Sequence, residues 1–277
     1  MEYLAWEIVK KARKAERPKG RDYVAVLFDD FVEIHGDRCF GDDKAITVGL
    51  GMFHGEPVTV MAQSKGKNIE ENIERNFGMS NPEGYRKILR AAKQAEKFNR
   101  PIITFVDTAG AFPGRGAEER GQAEAIARCL YQFSDLKTPI ICVVVGEGGS
   151  GGALALTVGD RIIMLENAIY SVLSPEGMAS ILWKDETLAP RASQLMKLTA
   201  KDLKEAGIVD EIIDESQGKV SEGDAIKESG RCRDESFFTV IRRLDEAIYK
   251  ALREAKAVKI KELVNKRYEK YRKIGVY

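Results

Sequence analysis

The sequence predicts an α/β fold, and three observations carry that expectation. The apolar, β-branched run from Ile140 to Val145 reads as a buried strand, and it leads through a glycine-rich stretch into a helix-like segment, Gly152-Ala-Leu-Ala-Leu. The same order of strand, glycine turn and helix occurs about 40 residues upstream, where Pro101 to Val106 runs into DTAGAFPGRGAEERGQ and a helix to about Phe133. The composition, 44% hydrophobic and 31% charged over 277 residues, is that of a globular chain long enough to bury a core.

Before the first of these units, residues 2–16 form an amphipathic helix with Leu4, Ile8 and Val9 on its apolar side. From Tyr23 to Ile34, Val24, Leu27, Phe28 and Phe31 recur at helical spacing and predict a second helix. The segment 36–43 is a loop, followed by a hairpin of Ala45–Met52 and Pro57–Gln63 turning through Phe53-His-Gly-Glu. Ser64 to Ser80 is polar and irregular, with Lys65, Lys67 and Arg75, and is expected to be a surface loop, possible substrate-side and mobile. Asn81-Pro82 opens a helix to about Asn99 whose inner face is Tyr85, Ile88, Leu89 and Ala92.

Beyond the second glycine stretch, Arg161–Leu165 and Ala168–Leu173 read as strands. Ser174-Pro175-Glu176 starts a helix through Trp183, and Thr187–Leu198 is helical. Thr199 and Asp202 make a capping box for Ala200–Ala206, stopped by Gly207, and Ile208–Ile213 is a strand. A polar linker, 214–235, precedes a long helix capped by Ser236, with Val240, Ile241, Leu244 and Ile248 inward. The basic tail 258–277 is expected to be helical and solvated, packing on a partner rather than on nucleic acid.

The formal net charge of +1 provides no global field for nucleic acid or membrane. Cys39, Cys129, Cys142 and Cys232 are scattered without a C-x-x-C pair, and no run approaches membrane-spanning length. These features, with no signal-peptide pattern, predict a cytoplasmic protein with no metal in this chain.

The stretch Gly146-Glu-Gly-Gly-Ser-Gly-Gly152 holds five glycines in seven residues. Glycines let a ligand approach the backbone, and the free N–H groups at a helix start favour negative charge. Gly146, Gly148 and Gly151 satisfy G-x-G-x-x-G, and Gly148, Ser150 and Gly152 satisfy G-x-S-x-G. No Lys-Ser/Thr pair follows, which excludes a Walker loop. A Ser150 nucleophile lacks a general base in the α/β-hydrolase order, because His35 and His54 both lie upstream. A dinucleotide site is favoured by Glu166, 20 residues after Gly146, but disfavoured by the very short segment between Gly152 and Gly159. An oxyanion hole of backbone N–H groups suits a chain with two histidines, and it is the logic of the crotonase superfamily.

Longer blocks are more specific. HGDRCFGDDKAI (35–46), NFGMSNPEGYRK (76–87), PIITFVDTAGAFPGRGAEERGQAEAIA (101–127), GEGGSGGALAL (146–156) and YSVLSPEGMASILWK (170–184) resemble the α-subunit family of bacterial acetyl-CoA carboxylase carboxyltransferases. The KRYEKYRK tail (266–273) resembles it more weakly. The family pattern DTPGAYPG is DTAGAFPG here, with Ala109 for proline and Phe112 for tyrosine, so no tyrosine hydroxyl contact can be made at that position. The family also often carries a longer N-terminal helical extension than this sequence shows.

The resemblance implies a crotonase-like spiral of ββα units with flanking helices. Its implied division is an N-terminal helical segment (1–35), a carboxyltransferase core (36–215) and a C-terminal helical region (216–277). It implies transfer of a carboxyl group from carboxybiotin, borne on a separate biotin carboxyl carrier protein, to acetyl-CoA, giving malonyl-CoA for fatty-acid synthesis. A carboxyltransferase or decarboxylase for another acyl-CoA, and a noncatalytic scaffold subunit, are the alternatives. By matching residues, Gly151 and Gly152 would donate N–H groups to the biotin oxygen, Gly148, Gly149 and Ser150 would shape the approach, and Ala109 and Gly110 would line it. The implied partners are a β subunit with a zinc ribbon, in an α2β2 assembly, the carrier protein, and a biotin carboxylase that alone uses ATP. Neither membrane nor nucleic acid is an expected partner. A Gly152→Val replacement is expected to block transfer while leaving the fold intact.

Overall fold

Runs of consecutive apolar residues form strands buried on both faces, as parallel sheets require. In the computed structural model, which describes residues 4–216 and 235–275, these runs build an eight-stranded mixed sheet. Helices α1 (Leu4–Arg13) and α2 (Gly20–Leu27) precede strand β1 (Asp29–Ile34). The hairpin β2 (Ile46–Phe53) and β3 (Glu56–Gln63) follows, then α3 (Ile69–Glu74), α4 (Pro82–Lys97) and β4 (Ile102–Thr108). After α5 (Arg115–Glu119) and α6 (Gln122–Asp135) come β5 (Ile140–Gly149) and the one-turn helix α7 (Ser150–Leu154). Strands β6 (Arg161–Leu165) and β7 (Ile169–Ser171) lead to α8 (Pro175–Trp183), α9 (Ala189–Leu195), α10 (Ala200–Glu205) and β8 (Glu211–Ile213). Helices α11 (Glu235–Lys256) and α12 (Ile260–Lys273) complete the described chain.

The strand order is β1-β2-β3-β4-β5-β6-β8, antiparallel from β1 to β3 and parallel thereafter. Strand β5 serves two partners in succession: Ile141–Val144 pair with β6, and Glu147–Gly149 pair with β7. The β2–β3 turn is His54-Gly55, both at positive φ, the geometry whose twist matches a tight hairpin. Helix α4 buries Tyr85, Ile88, Leu89 and Ala92, and α11 buries Val240, Ile241, Leu244 and Ile248, as the periodicity predicts. Thr199 and Asp202 form the expected capping box on α10.

Several expectations are corrected. The predicted helix 23–34 ends at Leu27 and becomes β1, because Phe31 needs the space above two glycines of β2. A Cβ on Gly49 would fall 2.3 Å from the Phe31 ring, and one on Gly51 would meet the same ring at 3.5 Å. The inner face of α1 is Ala5, Val9 and Ala12, whereas Leu4 is exposed. The helix expected to run on to Phe133 is broken in two at Gly121, which takes a left-handed φ of 84°. Residues 64–80 contain α3, N-capped by the Asn68 side chain. Of the expected linker 214–235, residues 217–234, with Cys232, lie outside the described residues, and the described part of α11 starts one residue before the expected Ser236 cap.

The basic tail is not a solvated arm. Arg267 is 0% exposed and donates to both carboxylate oxygens of Asp160 and to the carbonyls of Phe133, Leu136 and Thr138. The Tyr271 hydroxyl accepts from Gly159 N at 2.8 Å and reaches the Thr157 carbonyl at 2.8 Å. A buried guanidinium is tolerable only with its donors satisfied, and here the chain's own carbonyls satisfy them.

Candidate functional site

Strands β4 and β5 are parallel neighbours, with Thr108 paired to Gly148, so both glycine-rich segments emerge at the same edge of the sheet. The carboxyl ends of parallel strands are where α/β proteins place ligands. In the first segment Ala109 is exposed and Gly110 is buried. The Thr108 hydroxyl closes this turn, accepting from Gly110 N at 3.1 Å and donating to Gly110 O at 2.7 Å. Gly110 can therefore line the site, but its N–H is already spent.

The second segment corrects the expected turn. Gly146–Gly149 continue β5 as strand, and the chain bends only at Ser150, whose φ is +52°. Here the glycines serve close approach. A Cβ on Gly146 would lie 2.3 Å from Asp107 Oδ1, and one on Gly149 would lie 2.0 Å from the Ala109 carbonyl oxygen. A Cβ on Gly148 would meet the Tyr170 ring at 2.7 Å, and one on Gly152 would meet Gly110 C at 2.5 Å. Valine at position 152 would thus push two backbones apart, so the expectation that Gly152→Val leaves the fold intact does not hold.

Gly151 is different. Its hypothetical Cβ meets only Ile126 Cγ2, at 3.5 Å, and its φ is not positive. Ser150, Gly151 and Gly152 form the first turn of α7, which has no side-chain cap. The N–H groups of a first turn have no intrahelical partner and are aimed outward along the helix. Ser150 and Gly151 open onto a groove walled by Leu154, Tyr170, Val172 and Met196, whereas Gly148 and Gly149 border a separate hollow with Arg13, Glu147 and Ser174. The expected site residues are thus neighbours, and of the two glycines in α7 it is Gly151 that has room for a side chain.

Below Gly148 lies a charge cluster that the sequence did not reveal. Glu147 pairs with Lys65 and with Arg13, whose Nε is 2.7 Å from Glu147 Oε1. Arg13 also pairs with Glu176 on α8 at 2.6 Å, and Lys65 lies 3.7 Å from Asp107. Glu147 N donates to Asp107 Oδ1 at 3.1 Å. Burial acts to raise the Glu147 carboxyl, but Lys65 and Arg13 outweigh it and hold the group below its ordinary value. Lys65 was expected on a mobile loop; instead its side chain is 15% exposed and fixed at both carboxylates. One signal could have found this cluster: a glutamate inside an otherwise apolar and glycine strand must be paired if it is buried.

The competing chemistries gain nothing from the geometry. His35 Nδ1 is 3.1 Å from Asp42, and His54 Nε2 is 2.8 Å from Asp245 on α11, with its ring against Tyr249. Each is engaged with a carboxylate other than a Ser150 partner. Glu166 accepts from Glu215 N, at the far end of β6. Cys129 and Cys142 are buried, with burial pushing the Cys142 thiol up to about 12, and Cys39 is exposed. Among the described residues no cluster of three or more His, Cys, Asp or Glu is placed to hold a metal, and no helix is long and apolar enough to cross a membrane.

The family model described as acetyl co-enzyme A carboxylase carboxyltransferase-like matches residues 2–275. The chain is 54% identical over 272 residues to the acetyl-coenzyme A carboxylase carboxyl transferase subunit alpha of Halalkalibacterium halodurans, covering 98% of this chain and 80% of that one. It is 55% identical over 270 residues to the protein of the same name from Clostridium botulinum, covering 98% and 94%. Among solved structures it is similar to transcarboxylase 12S with hydrolysed methylmalonyl-coenzyme A bound, with a TM-score of 0.67 at 20% identity, covering 92% of this chain. The chain spans 45% of that larger chain. It is also similar to the heterodimeric Pseudomonas malonate decarboxylase, with a TM-score of 0.60 at 17% identity, covering 77% of this chain and 82% of that one. These neighbours give the fold its name: α/β, crotonase-like.

Proposed function

Because the chain belongs to the acetyl co-enzyme A carboxylase carboxyltransferase-like family, we infer that it is the carboxyltransferase alpha subunit. It is then a transferase that moves a carboxyl group from a biotin-linked donor to acetyl-CoA, forming malonyl-CoA for fatty-acid synthesis. The single observation that carries the site assignment is the open first turn of α7. Gly151 lies in the first turn of a helix without a side-chain cap, beside an apolar groove, where a neutral ring with one oxygen could lie against the backbone.

Carboxybiotin, when bound, supplies the carboxyl group and, on its release, the basic site that accepts the acetyl proton. The chain's residues have the complementary task. The N–H groups of Gly151 and Gly152 stabilise negative charge developing on the ureido oxygen. Ser150 sets the shape of the approach, Gly148, Gly149 and Ala109 border the adjoining hollow, and Gly110 backs Gly152. Removing one such donor costs roughly 3–4 kcal/mol of transition-state stabilisation. Leu154, Tyr170 and Val172 give the groove an apolar wall for the ring. The reading needs no protein base, and Glu147 and Lys65, in the adjoining charge cluster, are spent on each other.

The reaction develops charge on two oxygens, and among the described residues this chain offers one glycine pair in a helix that directly follows a buried strand, so a β-type subunit supplies the other. We place the two in an α2β2 assembly in the cytoplasm, served by a biotin carboxyl carrier protein that a biotin carboxylase charges with ATP. The test is malonyl-CoA decarboxylation with biocytin as acceptor, across a concentration series of the chain alone and then with added β-type subunit. Activity rising to a plateau near equal subunit amounts is expected. Full activity from the lone chain would refute the shared site, and a preference for another acyl-CoA would replace the acetyl-CoA assignment.

A further inference from the structure

Gln63, the last residue of β3, is 0% exposed and donates its amide N–H to the carbonyl of Gly152 at 2.9 Å. That carbonyl has lost its helical partners. Ala155 N, three residues on, is spent on Gly151 O at 3.0 Å, and Leu156 N, four residues on, is spent on Ala153 O at 3.0 Å. The one-turn helix α7 therefore cannot hold its own Gly152 peptide, and a side chain from another element does so. The other amide atom of Gln63, Oε1, is buried without a partner among the described residues. Burying an unpaired amide oxygen is unfavourable, and a methionine would fill the same space without that cost. Glutamine at this position is explained by its N–H and not by packing.

The support behind the amide is rigid. Ala62, beside Gln63, is paired on both sides, to Thr47 of β2 and to Phe105 of β4, and Gln63 itself is paired to Ile46. A Cβ on Gly20 would fall 2.6 Å from Gln63 O, so the start of α2 presses on the same peptide. On the opposite side of Gly152 lies the backbone of Gly110, against which the glycine packs with no room for a methyl group. The Gly152 peptide is thus clamped between the Gly110 backbone and the Gln63 amide. Both clamps act on the first turn of α7, whose residues Ser150 and Gly151 border the groove.

We propose that Gln63 is a positioning residue for carboxyl transfer: through the Gly152 carbonyl it fixes the rotation of the first turn of α7, and so the aim of the Gly151 and Gly152 N–H groups. This rests on the carboxyltransferase reading of the site. The donors must be aligned with the oxygen as charge develops on it, while binding of the CoA portion does not depend on their aim. Loss of the clamp should therefore lower kcat and leave KM for malonyl-CoA nearly unchanged, a split that a general loosening of the protein would not produce.

The experiment compares wild type with Gln63→Met, which removes the donor at similar volume, and Gln63→Glu, which keeps the shape but presents an acceptor to a carbonyl. Each is assembled with the β-type subunit, its assembled fraction is measured by size-exclusion chromatography, and malonyl-CoA decarboxylation with biocytin is assayed. Both variants are expected to lose about 10- to 100-fold in kcat, the size associated with misplaced catalytic geometry, with KM for malonyl-CoA within about twofold of wild type. A kcat within about twofold of wild type in either assembled variant overturns the proposal, as does a parallel change in KM. Failure of both variants to assemble assigns Gln63 to folding and overturns it as well. An inactive wild-type complex would instead overturn the carboxyltransferase reading, and this proposal with it.

Discussion

Gly151→Val separates the role of the α7 turn in catalysis from its role in packing. In the folded chain a Cβ at Gly151 meets Ile126 Cγ2 at 3.5 Å, ordinary van der Waals contact, and the backbone is not left-handed. Glycine is the poorer helix former, so valine should change stability by no more than about 0.5 kcal/mol in either direction. The added methyl groups crowd the first turn of α7 beside Ile126 and are expected to hold a substrate oxygen away from its N–H groups. Loss of one oxyanion donor corresponds to about 100- to 1000-fold in kcat. Gly152→Val serves as the contrast, because its Cβ would stand 2.5 Å from Gly110 C and overpacking costs typically 1–3 kcal/mol. The assay is biocytin-dependent malonyl-CoA decarboxylation by the reconstituted complex, with thermal unfolding followed in parallel. Gly151→Val should melt with wild type and turn over at least about 100-fold more slowly, whereas Gly152→Val should lose both properties. An assembled Gly151→Val complex turning over within threefold of wild type would refute the donor assignment.

Ser150→Ala should retain most activity, since no base activates the hydroxyl. Ser150→Gly should gain roughly 1 kcal/mol in denaturant melts by relieving the left-handed backbone at φ +52°; a loss of stability would show that the hydroxyl matters more than the strain. Lys65→Met leaves Asp107 with the Glu147 N–H but without its lysine, and Glu147 with Arg13 as its one cation, and should cost about 3 kcal/mol, read as a lower denaturation midpoint. The pH dependence follows from the same pair. Glu147 titrates below its ordinary 4.5 in the folded chain, so its contribution to stability is complete above that pH and is lost as pH falls through the depressed value. Acid unfolding of Lys65→Met should therefore begin at higher pH than in wild type, and coincident acid transitions would count against the coupling. Arg267→Met should strip α12 of its anchor and lower the melting temperature by roughly 10 °C, from about 3–5 kcal/mol of uncompensated Asp160 and carbonyl groups; an unchanged melt would make the anchor dispensable.

Much of the architecture was legible because its signals are local. The continuous apolar runs at Ile102–Val106 and Ile140–Val145, the His54-Gly55 hairpin and the Thr199–Asp202 capping box each specify their element without help from distant residues. What escaped depends on contacts far away in the chain. Residues 29–34 look helical until Phe31 meets Gly49, and Gly146–Gly149 look like a turn until β7 pairs with them. The position of the glycine site was readable from spacing and family resemblance. The distinct environments of its members were not: Gly152 packs against Gly110, while Gly151 has room for a side chain, and no linear pattern separates two adjacent glycines. Gln63 and Lys65 left no signal either, since each acts on a backbone or carboxylate more than 80 positions away.

The contact between Tyr271 and the segment after α7 constrains the order in which the protein can mature during synthesis. Thr157 and Gly159 are tied by one phenol oxygen that lies 112 positions beyond Gly159, and Thr157 in turn meets the Tyr170 hydroxyl at 2.7 Å. A chain is synthesised from its amino end at about 5–20 residues per second, so the sheet can form while the tail is still inside the ribosome. Until Tyr271 has emerged, the Gly159 N–H has only the Thr157 carbonyl, at 3.0 Å, and the carbonyls of Thr157 and Gly159 lack the phenol donor. The phenol thus acts as a completion mark: the segment after α7 gains its last hydrogen bonds only in a chain translated at least that far.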